Sequence, residues 1–485
     1  MSTNIESTPM KHYLVLLACL LATGTSSLAD TNLLAKHDKT NVVLVLIDDL
    51  GWNDVGCYGS TYYRTPNIDR LAREGMRFTD GYAACNVCSP TRAAIMTGKY
   101  PARLLLTQWL PSGRWSRTRH KMREGRYVSN LPLEEVTIAE AMREAGYKTA
   151  FMGKWHLGTE TYYYPEHQGF DLNVGGRDFG APGSYFYPFA GTWKIPTTGK
   201  VQQKPGPVGG KKGDYLVDRL AEEAEQFIRR SADKPFFLML SHYAVHAPLQ
   251  GKADKVKRYQ QVAKDQQQGP PAYAAMVESV DDSVGRVMRT LRELKIDQQT
   301  LVIFTSDNGG FAKATSNSPL RANKGSNYEG GLRVPLIIKW PGQARPGSVS
   351  AEPVISTDFY PTILAATGQP ARPHQHVDGK NLVPLLTGKG PLQRDAIYWH
   401  YPHYNRHPHS FPSAVVRAGN WKLIEAFETG KISLYNLGSD LGETTNLAAQ
   451  EPARVKKLQT LLSNWQREVG ADLMKSNPEY QGAQR

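Results

Sequence analysis

Two hydrophobic rhythms alternate along the chain. The run NVVLVLIDDLG (41–51) is apolar without a break until two carboxylates and a glycine close it, the pattern of a parallel strand buried on both faces and followed by a loop at its carboxyl end. Helical stretches come next, each with its own punctuation. TPNIDRLAREG (65–75) offers Thr65 as N-cap, Pro66 at the first helical position and Gly75 as the stop. TIAEAMREAG (137–146) carries a capping box from Thr137 to Glu140 and stops at Gly146, after which KTAFMGKWHLG reads as a short strand and a loop. The same succession recurs in DYLVDRLAEEAEQFIRR (214–230) before PFFLMLSHYAVHAP (235–248), and in AMVESVDDSVGRVMRTLREL (275–294) before TLVIFTSDNGG (300–310). In that last helix Met276, Val280, Val284, Val287, Leu291 and Leu294 recur every three or four residues and mark one buried face. Asp281 and Asp282 then read as a solvated pair.

Helices alternating with apolar strands predict an α/β sheet covered by helices on both faces, and ligands on such sheets gather beyond the carboxyl ends of the strands. Four predicted strands end in chemically loaded loops: Asp48-Asp49, Lys154-Trp155-His156, His242 to His246, and Asp307-Asn308. The texture changes after about residue 370. GQPARPHQHVDG (368–379) reads as a linker, followed by short strands in AIYWHYPHY, SAVVRAGNWKLIEAF and KISLYNL and a closing helix in PARVKKLQTLLSNWQREV. The expected plan is a large domain over 30–375 and a smaller C-terminal α+β subdomain over 376–485, with a short antiparallel sheet and one helix.

Charge narrows the partners. A net charge of +13 favours an anionic partner. Lys and Arg are scattered rather than massed, and the densest patches, 114–126 and 209–213, do not interleave aromatics, which argues against nucleic acid. Residues 1–29 carry Lys11, an apolar run from Tyr13 to Ala22 and the ending Ser27-Leu28-Ala29, the layout of a secretory signal peptide that is too short to span a membrane. An exported protein, periplasmic or extracellular and not transmembrane, is expected. A lipoprotein reading through Leu16-Leu17-Ala18-Cys19 is the lesser alternative. Removing the signal leaves Cys57, Cys85 and Cys88, which make no disulfide framework; whether Cys57 and Cys85 pair is open.

The stretch CNVCSPTRAAIMTGKYPAR (85–103) contains a C-x-x-C, yet no second cysteine pair and no HExxH accompany it, so neither a zinc knuckle nor a metalloprotease is indicated. Cys88-Ser89-Pro90-Thr91-Arg92 with its continuation closely resembles the signature of the formylglycine-dependent sulfatases of the alkaline phosphatase superfamily. The resemblance runs on through VLIDDLGWNDVGCYG, GKWHLG, YAVHAP, TSDNGG, KGSNYEGGLRVP and the C-terminal RAGNWKLIE and LYNL, in family order. It implies an alkaline phosphatase-like large mixed sheet, with the sulfatase catalytic domain over 30–375. It also implies that a separate maturation enzyme oxidises Cys88 to formylglycine, whose hydrate attacks sulfur with one hydroxyl and releases sulfate through the other.

The same resemblance assigns further roles. Arg92 would anchor the formylglycine; Lys154 and His156 would touch it and the sulfate, with His156 as the base; His246 and Lys324 would hold the sulfate and assist the leaving alcohol. Asp48, Asp49, Asp307 and Asn308 offer only hard oxygen ligands, suited to Ca²⁺ or Mg²⁺ and not zinc, and the resemblance makes them the ligands of a Ca²⁺ ion. Apart from these assignments, His242, Glu329 and Arg333 are expected to support the site from behind. The cluster His400, His403, His407 and His409 could suggest a metal, but its irregular spacing in an aromatic loop points to a surface or substrate-contacting loop. Specificity would reside in loops 104–126, 159–212 and 400–413.

The expected activity is hydrolysis of a sulfate ester, on a sulfated carbohydrate, with galactose or N-acetylgalactosamine sulfates foremost, or on an aryl sulfate. Three other readings stand beside it: a phosphonate or phosphodiester hydrolase of the same superfamily, a protein that binds sulfated glycans without turnover, and a redox protein using Cys85 and Cys88.

Overall fold

The computed structural model of the chain describes residues 37–110, 115–158, 160–194, 199 and 201–482, so the reading of residues 1–29 and of Cys19 lies outside the described residues. The unbroken apolar run becomes β1 (Asn41–Ile47), buried at every position. It sits inside an eight-stranded sheet with β2 (Met76–Phe78), β3 (Lys148–Gly153), β4 (Leu172–Val174), β5 (Phe236–Ser241), β6 (Thr300–Ser306), β7 (Leu336–Lys339) and β8 (Ser348–Ser350). The order is β8-β2-β7-β6-β1-β5-β3-β4. Strands β6, β1, β5, β3 and β4 run parallel, while β7 is antiparallel to both its neighbours. The sheet is therefore mixed, as the resemblance implies.

Alternate residues of β1 feed opposite layers. Val43, Val45 and Ile47 face one core with helices α4 (Leu216–Arg230) and α5 (Pro271–Glu293); Val42, Leu44 and Leu46 face the other with α3 (Ile138–Glu144) and α6 (Phe359–Ala366). This two-faced burial explains why the strand shows no polar alternation. At α3 the capping box forms as read, with Thr137 accepting from the Glu140 N–H and Glu140 accepting from the Thr137 N–H.

Two local readings are corrected. The helix α1 (Pro66–Glu74) begins after Thr65, but the Thr65 hydroxyl is not its cap: it accepts from the Gly56 N–H and donates to Asp69. The free N–H groups of Asn67 and Ile68 donate instead to Asp281 Oδ1 at 2.9 and 2.8 Å, and the Asn67 amide to Oδ2 at 2.7 Å. Asp281 is thus buried against a neighbouring helix and not solvated, and burial pushes its carboxyl up to about 7. Asp281→Ala, which strips this substitute cap, is expected to cost about 1–3 kcal/mol in urea unfolding, the scale of buried N–H groups left unpaired. Asp282, half-exposed beside Lys255, should tolerate the same change.

The small antiparallel sheet comprises β9 (Ile397–Tyr401), β10 (Ser413–Ala418), β11 (Trp421–Ala426) and β12 (Ile432–Asn436) in sequence order. Helix α7 (Pro452–Glu468) packs Leu458, Leu462 and Trp465 on it, the Trp465 ring stacked on Tyr398 at 4.8 Å. Glu329 and Arg333 belong to the seam beneath this sheet, not to the loaded loops. Glu329 meets Arg333 at 2.6 Å and Lys422 at 2.8 Å, and Arg333 meets Asp80 at 2.8 Å, all buried. Among the described residues no helix is long and apolar enough to cross a membrane.

Candidate active site

The carboxyl ends of β1, β3, β5 and β6 converge on one edge of the large sheet. Because Ile47 pairs with Ser306 across β1 and β6, the pairs Asp48-Asp49 and Asp307-Asn308 leave the sheet side by side. All four are buried, and oxygen atoms of Asp48, Asp49 and Asp307 lie within 4.8 Å of one another. Asp49 (φ 63°) and His156 (φ 61°) adopt the left-handed region that side chains seldom occupy, and such strain clusters where a site demands a particular direction. Gly153 (φ 102°) ends β3: a Cβ there would stand 1.9 Å from the Ser241 carbonyl oxygen, so only glycine lets the chain turn against β5 and bring Lys154 inward.

Three permanent cations oppose the three carboxylates. Lys154 Nζ lies 2.7 Å from Asp48 Oδ2, and Lys324 Nζ lies 2.6 and 2.8 Å from the two oxygens of Asp49. Arg92 reaches Asp307 Oδ2 through Nε at 2.9 Å and donates through its other arm to Ser241 Oγ and the Lys154 carbonyl. Ser241, unremarked in the sequence, thereby braces the guanidinium. Burial pushes the Asp48 carboxyl up, helped by Asp307 and Asp49 and opposed by Lys154. For Asp49 burial acts the same way, but Lys324 and His246 outweigh it and hold the carboxyl below its usual range.

The donor set suits a divalent cation. Asp48 Oδ1 and Asn308 Oδ1 are buried oxygens without a hydrogen-bond partner among the described residues. Two orphaned oxygens beside three clustered carboxylates, all hard ligands, fit Ca²⁺ or Mg²⁺.

Cys88 is the first residue of α2 (Cys88–Thr97), whose N-cap residue, Val87, supplies no side-chain acceptor. The positive end of the helix is therefore available to an anion beside the thiol. Cys88 Sγ lies 3.3 Å from His156 Nδ1, and His156 Nε2 lies 2.5 Å from the Leu110 carbonyl. A carbonyl only accepts, so Nε2 carries the proton and Nδ1 turns its lone pair to residue 88. Burial, then the Lys154 charge, keeps His156 well below its ordinary pKa. His246 donates from Nδ1 to the Ala247 carbonyl at 2.7 Å, which leaves Nε2 facing Asp49 at 3.7 Å; burial and Lys324 hold its ring near 3.

Asp49, Cys88, His156, His246 and Lys324 line the floor of a cavity of about 470 Å³. Its walls come from the three segments expected to set specificity, through Trp109, through Trp193 and Lys204, and through His407. The histidine cluster is split. His407 reaches the cavity, whereas His400 is buried against the Asp472 carbonyl and His403 against Thr107, both away from it. His242 is buried on Ser283 of α5 and Cys85 packs with Val87 and Tyr401. Cys57, Cys85 and Cys88 are all free thiols. The sequence offered no signal for Trp193 and Lys204, which sit on a short hairpin, Gly191–Lys194 with Val201–Lys204.

Comparison with known proteins agrees with this geometry. The sulfatase family profile matches residues 40–369, and the profile for the C-terminal region of N-sulphoglucosamine sulphohydrolase matches 322–468. Human arylsulfatase A is 35% identical over 86% of this chain and 81% of its own. Human steryl-sulfatase is 32% identical over 75% and 72%, and dog N-acetylgalactosamine-6-sulfatase 34% over 74% and 68%. Among solved structures, that of Ps i-CgsB in complex with k-i-k-neocarrahexaose superposes with a TM-score of 0.74 at 30% identity, covering 92% of this chain and 95% of that one.

Proposed function

The chain belongs to the sulfatase family, a family of sulfuric ester hydrolases, and from that premise we propose that it is an exported enzyme that desulfates carbohydrates. Galactose or N-acetylgalactosamine sulfates are the first candidates. The observation that carries the proposal is the position of Cys88: at the positive end of α2, on the floor of a cavity, between His156 and the cluster of Asp48, Asp49, Asp307 and Asn308.

Residue 88 would act as formylglycine, made by a maturation enzyme, which as its hydrate supplies an oxygen nucleophile and a second hydroxyl through which sulfate can depart. Asp48, Asp49, Asp307 and Asn308 would hold Ca²⁺, or Mg²⁺ in its place, supplying positive charge against the ester oxygens. The chain's own side chains do the rest. Arg92, clamped to Asp307 and Ser241, fixes the charge behind residue 88. His156 Nδ1 is placed to take a proton from the group at residue 88. Lys154 and Lys324 bring their ammonium groups to the same centre, where they would balance the negative charge of the sulfate. His246, tied through Nδ1 to a carbonyl, turns the lone pair of Nε2 to the same centre and would assist the departing alcohol only after taking up a proton there in the sulfate-bound site.

The walls favour a sugar over a sterol. Trp109 and Trp193, with ring centroids 6.5 Å apart, offer faces on which pyranose rings stack, and Asp178, Gln202 and Lys204 beside them offer hydrogen bonds that a steroid skeleton would leave unmade. Mass spectrometry of the tryptic peptide Phe78–Arg92, from protein made with a maturation enzyme, should show the loss of CH₂SH and gain of CHO at residue 88. An intact thiol in exported, catalytically active protein would overturn the nucleophile assignment.

A further inference from the structure

Resting on the carbohydrate sulfatase reading, we propose that Lys204 is a specificity-determining residue that recognises a second anionic group, a sulfate or carboxylate, on a substrate whose scissile ester lies at Cys88. Lys204 is only 8% exposed. Its ammonium makes no hydrogen bond or ion pair among the described residues and lies over the Trp193 ring, 5.4 Å from the centroid. The mechanism does not use it. It nevertheless lines the same cavity as the reactive centre and lies near enough to Lys154 to feel its charge.

A buried cation without a counterion is costly unless something compensates it. Burial first, and repulsion from Lys154 second, lower the Lys204 pKa to about 8. The neighbouring carboxylate, Asp178, opposes this more weakly than either and does not pair with the ammonium. Asp178 Oδ2 accepts from the Gln202 amide at 3.3 Å and forms no ion pair with Lys204, although it also lines the cavity. The wall thus divides its chemistry: Asp178 and Gln202 offer an acceptor and a donor suited to hydroxyls, Trp193 offers a face to a ring, and Lys204 presents an unpaired positive charge. A sugar with one sulfate at the catalytic floor and a second anion toward the hairpin would satisfy all of them at once. A monosulfated sugar would leave Lys204 uncompensated.

The test compares neutral galactose-containing disaccharides, free of uronic acid, carrying one sulfate or two, on wild type and on Lys204→Met and Lys204→Arg. The ratio of kcat/KM for the disulfated over the monosulfated compound is the readout, because incomplete maturation or partial misfolding cancels from it. Wild type should prefer the disulfated disaccharide, Lys204→Met should reduce the ratio about tenfold through KM, the scale of a charge-assisted hydrogen bond, and Lys204→Arg should restore most of it. A ratio near one in wild type, or a ratio unmoved in Lys204→Met, overturns the proposal. Should the wild-type protein with confirmed formylglycine hydrolyse no sulfated sugar, the carbohydrate reading fails on its own account. Calorimetric affinities of the same two disaccharides then decide for Lys204 by the same ratio.

Discussion

Cys88→Ala is expected to lower kcat/KM for 4-nitrophenyl sulfate by about 10⁴-fold or more, the scale on which enzymes lose rate when a covalent nucleophile is removed, while the urea unfolding midpoint barely moves. The reason for the second half lies in the contacts. The thiol has a polar contact with His156 Nδ1, and His156 is separately anchored to the Leu110 carbonyl. Arg92, Lys154 and Lys324 keep their carboxylates in the variant, so no buried charge loses a partner. Cys85→Ala supplies the contrast. Burial pushes the Cys85 thiol up to about 12, and it packs with Val87 and Tyr401 away from the cavity. If a dithiol carried the chemistry the two substitutions would be equally damaging; on the sulfatase reading only Cys88→Ala is severe. Residual activity within a hundredfold of wild type in Cys88→Ala would remove residue 88 from the reaction.

What the sequence made legible follows from which forces are local. β1, β5 and β6 are apolar throughout because each is buried on both faces, and their loaded ends could be read as one edge without knowing the strand order. β2 and β8 are three residues each, too short for any periodicity to register, and they escaped notice. The role of Asp281 is hidden from the sequence because helical periodicity describes a helix's own faces and is blind to a neighbouring helix with unsatisfied N–H groups. The histidines misled for a related reason. His400 lies in β9 and turns into the body of the small subdomain, while His407 lies beyond the strand on a loop that returns over the cavity. Spacing in sequence carries no record of that return. Trp193 and Lys204 were invisible because each is unremarkable alone. Only the hairpin places them on the same wall.

Asp48→Asn is expected to abolish the response of the protein to divalent cations and to lower turnover about 10³-fold, the scale of losing a charge-stabilising group in an active site. In wild type freed of ions by a chelator, added Ca²⁺ should raise the melting temperature, because an ion bound only by the folded state at a hundred times its Kd contributes about 2.7 kcal/mol. Asparagine preserves the shape of the side chain and one acceptor for Lys154, but it removes a negative charge from a centre where three carboxylates are already matched by Arg92, Lys154 and Lys324. Three cations facing two carboxylates repel a further dication. The melting curve therefore reads the ligand role without relying on catalysis, and Mg²⁺ in place of Ca²⁺ reads the ion preference. Asp282→Asn, which neutralises an acid outside the cluster, should retain the full response. If Asp48→Asn were stabilised by Ca²⁺ as strongly as wild type, the clustered carboxylates would be ion-paired structure alone, and the positive charge needed against the ester would have to come from Lys154, Lys324 and the end of α2.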